Sequence, residues 1–190
     1  MKLSYKGWCY VEGQTYKTAN EVIDGLCDRT ARGGGLLLNF SPRADGTVPQ
    51  EQLDTMLEIG KWLKANGEAI YATRPWKIVG QGDQSKLRKR QWLFIDCDAT
   101  DIRFTRSKDL STLYAILLGY PKQGRVSIDT LSNQTVIAEG GIKRVSLLGH
   151  DQPLAWQRTG IDFTLQLPEG TSQREPAYVL KIEVNGTLSQ

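Results

Sequence analysis

The chain has 190 residues, with 24 Lys and Arg against 21 Asp and Glu, so its formal net charge is +3 at pH 7. This small excess argues against a nucleic-acid-binding protein, whose basic residues would cluster on one face. Hydrophobic residues make up 39% and charged residues 24% of the chain, which is typical of a globular protein and argues against disorder. The length excludes a complete eight-fold (β/α) barrel, which needs roughly 200 residues at the least.

The sequence contains no candidate membrane span and no pattern of a secretion signal. Its longest apolar runs, 36–38 and 115–118, are far shorter than the roughly 20 residues that a spanning helix needs. Three cysteines, Cys9, Cys27 and Cys97, are odd in number and widely spaced, which fits neither a disulfide framework nor a zinc site. We therefore expect a soluble chain with free thiols, and its compartment stays open.

Residues 7–32 predict a strand followed by a helix. The strand is the short apolar run 8–11. Over residues 18–32 apolar side chains recur at helical spacing, and Thr18 with Glu21 three positions later has the pattern of a capping box.

Residues 35–66 predict a second strand and a second helix. The run 35–40 is apolar on both faces, as in a strand buried beneath helices. Thr47 with Gln50 predicts another capping box, and apolar residues continue at helical spacing up to Asn66. Two parallel strands cannot satisfy both edges of their sheet, so this region should belong to a larger α/β structure or pair with something else.

The second half, from about residue 90, predicts short antiparallel strands separated by turns. Alternation of apolar and polar residues is clearest at 161–167 and 179–184. This spacing favours an antiparallel β-sandwich. The predicted strands are 92–95, 102–105, 113–118, 126–128, 136–138, 145–148, 163–167 and 178–184.

Several stretches of the sequence resemble the α-L-fucosidases of glycoside hydrolase family 29. In the first half these are GGGLLLN at 33–39, ADG at 44–46 and IGKWLKANGEAIYATRPW at 59–76. In the second half, DIRFT at 101–105, YAILLGYP at 114–121 and VSLLG at 145–149 look like the C-terminal β-sandwich of that family. The resemblance covers nearly the whole chain.

The resemblance implies a fold and a chemistry. Residues 1–76 would be an α/β piece, the last βα units of an incomplete (β/α) barrel. Residues 77–89 would be a linker, and residues 90–190 an all-β antiparallel sandwich domain. The family chemistry is hydrolysis of α-L-fucosides with retention, through a covalent fucosyl-aspartate and with no metal or organic cofactor.

The site residues of the family carry over only in part. Its nucleophile aspartate and acid/base glutamate lie on barrel segments that this alignment puts before Met1, so we identify no catalytic residue. Trp8 matches the aromatic residue that packs on the apolar face of fucose, although Gly7 and Cys9 stand where the family has serine and glycine. Asn39 matches the end of the last barrel strand, where we predict a positioning residue in substrate binding.

Two carboxylates are candidates for a replacement catalytic pair. Retaining glycosidases need two carboxyl groups about 5 to 5.5 Å apart. Glu12 follows the first predicted strand and Asp45 follows the second, so the two could face one another. We favour a solvated loop glutamate and an Asp-Gly turn instead.

Two other patterns have a structural interpretation that we favour. Three neighbouring aspartates could bind a cation, but the Gly and distal Glu of a calcium loop do not follow Asp96, Asp98 and Asp101. Aromatic residues could form a sugar platform on the sandwich, but core packing explains Trp92, Trp156, Tyr114 and Tyr120.

Three hypotheses follow. The chain is the C-terminal portion of a fucosidase and is inactive alone, or it is a noncatalytic carbohydrate-binding or scaffolding module. In the third, its βα edges pair with an N-terminal barrel fragment or with a second copy, as a homo-oligomer. The expected ligand is a fucosylated glycan or a small α-L-fucoside, and we expect no nucleic-acid or membrane partner.

Overall fold

The computed structural model describes residues 1–82, 97–150, 152–173 and 175–190. These ranges contain two α-helices and eight β-strands. In chain order the elements are α1 (Ala19–Ala31), α2 (Gln50–Asn66), β1 (Arg74–Gln81), β2 (Ile102–Arg106), β3 (Thr112–Leu117), β4 (Arg125–Ile128), β5 (Ile142–Leu147), β6 (Trp156–Arg158), β7 (Phe163–Gln166) and β8 (Tyr178–Val184). Neither helix is long and apolar enough to cross a membrane.

The strands form two antiparallel sheets. The larger sheet has the order β1-β2-β3-β8-β5, and the smaller has the order β4-β7-β6. The core between them includes Phe104 of β2, Leu180 of β8 and Phe163 of β7, all fully buried. The predicted antiparallel β-sandwich is therefore confirmed.

The larger sheet is covered on both faces. Along β3, Leu113, Ala115 and Leu117 belong to the core between the sheets, whereas Tyr114 and Ile116 belong to a second cluster with residues of both helices. Successive side chains of a strand point to opposite faces. The helices therefore form a third layer, which explains why all six residues of β3 are buried.

The first helix forms as predicted. Thr18 is the N-cap of α1, and its side chain accepts a hydrogen bond from the main-chain N–H of Glu21. The Glu21 carboxylate in turn accepts from the Thr18 main-chain N–H at 2.8 Å. Val22 and Cys27 face the second cluster. A local cap and a local apolar stripe thus determine this element together.

The second predicted capping box is wrong. α2 begins at Gln50 after Pro49, without a side-chain hydrogen bond at its cap. The Thr47 main-chain N–H and hydroxyl donate to Asp45 Oδ1 at 2.9 and 2.7 Å. Gln50 Nε2 donates to Asp54 Oδ1 at 2.7 Å. Both side chains therefore make contacts that compete with a capping box.

The two parallel strands predicted in the first half are reduced to one bridge. Within the predicted run 35–40, Asn39 pairs with Lys2 in parallel orientation. Residues 8–11, predicted as a strand, lie in a loop. An apolar run does not form a strand without a neighbour that satisfies its backbone groups.

The predicted linker overlaps a strand. Residues 77–81 belong to β1 and continue its pairing with β2 past an irregularity in register between Pro75 and Gly80. A Cβ atom at Gly80 would lie 2.2 Å from the carbonyl oxygen of Ile102, so the close approach of the two strands requires glycine. The rest of the predicted linker, 83–89, lies outside the described residues.

Two other parts of the strand prediction differ from the structure, and one is not tested by it. The predicted strand 136–138 contributes only the bridge between Ala138 and Leu188. The three-residue strand β6 was not predicted, because so short a run shows no periodicity. The predicted strand 92–95 lies outside the described residues.

Candidate substrate-binding site

Two segments of the first half run side by side. Leu3 N donates to Asn39 O at 2.8 Å, and Asn39 N donates to Met1 O at 2.9 Å. Lys2 and Asn39 are the paired residues, so their side chains lie on the same face. Because the pairing is parallel, the loops that follow the two segments leave from the same edge.

This pair leaves one of its faces open. Leu36 and Leu38 pack against the cluster that contains the helices. Leu37, between them, is 85% exposed. The side that carries Lys2, Leu37 and Asn39 is called the open face below.

Trp8 stands at the edge of the open face. It is 57% exposed, and the ammonium of Lys2 lies 6.0 Å from the centre of its ring. Lys2 Nζ also donates to the main-chain oxygen of Lys6 at 2.7 Å. Lys2 thus contacts the ring of Trp8 and pairs through its main chain with Asn39. The two predicted binding residues therefore lie at one edge.

Asn39 is held by main-chain contacts while its side-chain oxygen has none. Its Oδ1 atom is buried and accepts no hydrogen bond in the described part of the chain. Two residues later, the main chain of Ser41 is bonded to the fully buried side chain of Gln52. A buried acceptor without a donor is unusual, so Asn39 is suited to accept from a ligand.

The predicted carboxylates lie in the two loops that follow. Glu12 and Asp45 are both exposed, and Asp45 Oδ1 accepts from the main-chain N–H and the hydroxyl of Thr47 within its own turn. Hydrogen bonds from Thr47 hold the pKa of Asp45 below its usual value. Arg43 lies 5.5 Å from the ring centre of Tyr10 and so links the two loops at the rim. This geometry favours the Asp-Gly turn.

Buried polar contacts fix the first segment from below. Lys17 is buried, and its ammonium donates to Ser4 O at 3.3 Å and lies 4.5 Å from the ring centre of Tyr5. Burial lowers the pKa of Lys17. The Tyr5 hydroxyl donates to the Glu21 carboxylate at 2.7 Å, and burial together with this contact raises the pKa of Tyr5. The segment that leads to Trp8 is therefore tied to the start of α1.

An ion pair ties the helical layer to the sandwich. Arg103 of β2 is fully buried, and its Nε donates to Asp28 Oδ1 of α1 at 2.8 Å. Arg32 binds the same carboxylate at 3.1 Å from the solvent side. In addition, Trp62 Nε1 of α2 donates to Ala177 O at 2.9 Å. The two helices are thereby fixed relative to the larger sheet.

The aromatic residues of the sandwich serve its packing. Tyr114 is buried and donates to Glu68 at 2.7 Å. Trp156 stacks on Phe163, and Tyr120 meets Tyr178 edge to face. The core interpretation is confirmed for these three residues, and Trp92 lies outside the described ranges.

Two of the three neighbouring aspartates, Asp98 and Asp101, take part in a turn. Asp98 Oδ1 accepts from the Thr100 main-chain N–H at 2.8 Å, and Asp101 Oδ2 accepts from the Asp98 N–H at 3.1 Å. Asp96 lies outside the described residues. In the described ranges no group of three or more His, Cys, Asp or Glu side chains is placed to hold a metal ion.

Sequence reasoning missed two residues of this region, Lys2 and Gln52. Gln52 was detectable in principle, because it is a polar residue in register with Ile59 on the apolar stripe of α2. No local pattern marks Lys2, whose role depends on its pairing with Asn39.

Known proteins resemble the chain over both halves. The family model described as alpha-L-fucosidase matches residues 1–68, and that described as alpha-L-fucosidase C-terminal domain matches residues 96–183. The chain belongs to the α-L-fucosidase family.

Curated members of this family are much longer than the chain. Rat tissue α-L-fucosidase is 32% identical over 182 residues, which cover 92% of this chain and 34% of the relative. Human plasma α-L-fucosidase is 32% identical over 164 residues, or 85% of this chain and 30% of the relative. The chain therefore spans about a third of the length of these fucosidases.

Solved fucosidases have the same fold over nearly the whole chain. The Thermotoga maritima α-fucosidase solved in complex with fucose has a TM-score of 0.73 at 24% identity, covering 96% of this chain and 38% of that one. α-L-Fucosidase isoenzyme 1 from Paenibacillus thiaminolyticus has a TM-score of 0.72 at 23% identity, covering 98% of this chain and 39% of that one.

Proposed function

We propose that the chain is the C-terminal portion of a retaining α-L-fucosidase. In this proposal residues 1–76 supply the last βα units of its (β/α) barrel and residues 90–190 form the supporting sandwich, to whose larger sheet β1 adds an edge strand. The observation that carries it is the parallel bridge between Lys2 and Asn39, which brings the loop of Trp8 and the end of the 37–39 segment to one edge. Barrel enzymes build their sites at that edge of the strands.

The distribution of exposed apolar side chains supports an incomplete first half. Of the nine large apolar residues that are exposed in the described ranges, seven precede residue 72. This concentration of exposed apolar side chains in the first half supports a contact with protein there, since monomeric proteins rarely expose large apolar patches. These residues are Trp8, Val11, Leu37, Phe40, Leu53, Leu57 and Tyr71.

In this proposal the chain supplies contacts that bind the sugar, and the rest of the barrel supplies the catalytic groups. Trp8 packs on the apolar face of the fucosyl ring, and Asn39 orients the sugar through its side-chain oxygen. The nucleophile and the acid/base come from barrel strands that the chain does not supply. Without them the covalent route is closed, so the chain alone is inactive.

The family resemblance also leaves a homo-oligomer open, in which a second copy covers the open face. A sugar-binding module on the sandwich alone has no supporting observation in the described residues. There, Tyr114 is buried, and the partly buried Trp156 stacks on Phe163 against the core.

The test is complementation. The chain is mixed with the remaining two thirds of a related fucosidase, and hydrolysis of 4-nitrophenyl α-L-fucoside is measured. Activity is expected only in the mixture, and Trp8→Ala should reduce it at least tenfold, whereas Ile161→Ala, at an exposed apolar residue of the second half, should not. The proposal fails if the mixture stays inactive although the two pieces associate. It also fails if the chain is active alone and loses activity in Glu12→Ala or Asp45→Ala.

A further inference from the structure

Gln52 is a polar residue in the buried stripe of α2. Its side chain is fully buried, beside the buried Ile59 and Trp62 of the same helix. Burying a carboxamide is unfavourable unless both of its polar atoms are bonded. Gln50, two residues earlier, is exposed and bonds along the helix to Asp54. The burial of Gln52 therefore needs an explanation that the helix itself does not give.

Both polar atoms of Gln52 bind the main chain of one residue. Gln52 Oε1 accepts from Ser41 N at 2.8 Å, and Gln52 Nε2 donates to Ser41 O at 2.9 Å. The side-chain amide thus takes the place of a neighbouring strand, with one donor and one acceptor matched to those of a peptide. This two-point contact fixes the position and the direction of the chain at Ser41.

Ser41 lies two residues after Asn39 on the same segment. On its other side, Asn39 is bonded through its main chain to Met1 and Leu3. The segment is therefore held by residues 1–3 at Asn39 and by α2 at Ser41. The buried Oδ1 atom of Asn39, which accepts no hydrogen bond in the described residues, is left free to accept from a hydroxyl.

We propose that Gln52 is a positioning residue of the fucoside site, which holds Ser41 so that the Asn39 side chain keeps the orientation needed to accept a sugar hydroxyl. The identity of the ligand rests on the proposed function. The contact itself does not, because it is made within this chain. Small displacements of a ligand-binding group such as the Asn39 side chain reduce binding strongly. A contact that fixes Ser41, two residues away, therefore benefits binding.

The chemistry of the side chain gives a selective test. In Gln52→Glu the ionised carboxylate still accepts from Ser41 N but cannot donate to Ser41 O, and it repels that oxygen. The protonated carboxyl has one donor and one acceptor again and restores both contacts. Burial raises the pKa of a carboxyl group, so this switch should fall within the range from pH 5 to pH 8. Gln52→Met fills the space without either contact, and Gln50→Glu is the matched exposed control.

The experiment records the main-chain amide resonances of Asn39 and Ser41 in the whole chain, with and without L-fucose, from pH 5 to pH 8. In Gln52→Glu, the two amide resonances should be displaced from their wild-type positions at pH 8 and return to them at pH 5. Its apparent affinity for fucose should be about tenfold weaker at pH 8 than at pH 5, which corresponds to one lost hydrogen bond. In Gln52→Met, both resonances should stay displaced at every pH. In Gln50→Glu, they should stay at the wild-type positions.

The outcomes separate the two proposals. If Gln52→Glu shows no pH-dependent return, or if Gln52→Met binds fucose as the wild type does, the positioning role is overturned. If wild-type Asn39 does not respond to fucose although the pH effect is present, the fucoside site is overturned and with it the proposed ligand. A packing role alone would change the thermal midpoint in all buried variants without a pH-dependent rescue.

Discussion

The ion pair between Asp28 and Arg103 allows a sharp test of how the two layers are joined. Asp28→Asn keeps the shape of the side chain and removes its charge. Arg103 is fully buried, and its remaining partners are the carbonyl oxygens of Gln81 at 3.2 Å and Ile102 at 2.9 Å. An uncompensated buried cation costs about 3–5 kcal/mol. For a domain of this size that lowers the thermal midpoint by roughly 6–20 °C.

The reverse change should cost less. In Arg103→Met the Asp28 carboxylate keeps Arg32, which reaches it from the solvent side. The double variant Asp28→Leu with Arg103→Met leaves no buried charge and should be more stable than Asp28→Asn alone. Urea unfolding followed by tryptophan fluorescence and by circular dichroism measures all three free energies. The reasoning is refuted if Asp28→Asn costs less than about 1 kcal/mol, or if the double variant is the least stable of the three.

Three further outcomes are expected. Burial opposes the charged form of Glu68, but hydrogen bonds from Lys181 and Tyr114 outweigh the effect of burial. The pKa of Glu68 is therefore lowered from its ordinary value of 4.5. Stability is therefore lost as the pH falls from the pKa of Glu68 in the unfolded chain through its lowered pKa in the folded chain. Acid unfolding curves of a Glu68→Gln variant should show a smaller loss of stability. Lys2→Met should free the loop of Trp8 and broaden the indole resonance, whereas Lys6→Met, which keeps the carbonyl that Lys2 binds, should not. Leu37→Glu should weaken complementation, or self-association, at least tenfold in sedimentation experiments while leaving the thermal midpoint unchanged, because Leu37 is 85% exposed.

Local signals predicted those elements that are determined locally. α1 carries its cap and its apolar stripe within fourteen residues, so Thr18 and Glu21 were enough to place it. β8 alternates clearly and was also placed correctly. By contrast β1 contains Pro75 and Gly80, which read as loop residues, and it becomes a strand through its pairing with β2.

The sequence proposes a position for the candidate site but not the contacts that support it. The resemblance of the sequence to fucosidases singled out Trp8 and Asn39, and the structure places both at one edge. Periodicity can mark Gln52 as a polar residue on an apolar stripe, but it cannot identify the partners that Gln52 and Arg103 bind. Gln52 binds the chain eleven residues earlier, and Arg103 binds a carboxylate 75 residues earlier.

The larger sheet couples the sandwich to the candidate site. One of its faces is in the core of the sandwich, and the other packs on α1 and α2. α2 carries Gln52, and α1 begins beside the segment that leads to Trp8. A change in the sandwich that moves this sheet must therefore move the helices, and through Gln52 it must move Asn39. The sandwich then acts as the base of the candidate site, because Arg103 and Trp62 join it to α1 and α2 by direct hydrogen bonds.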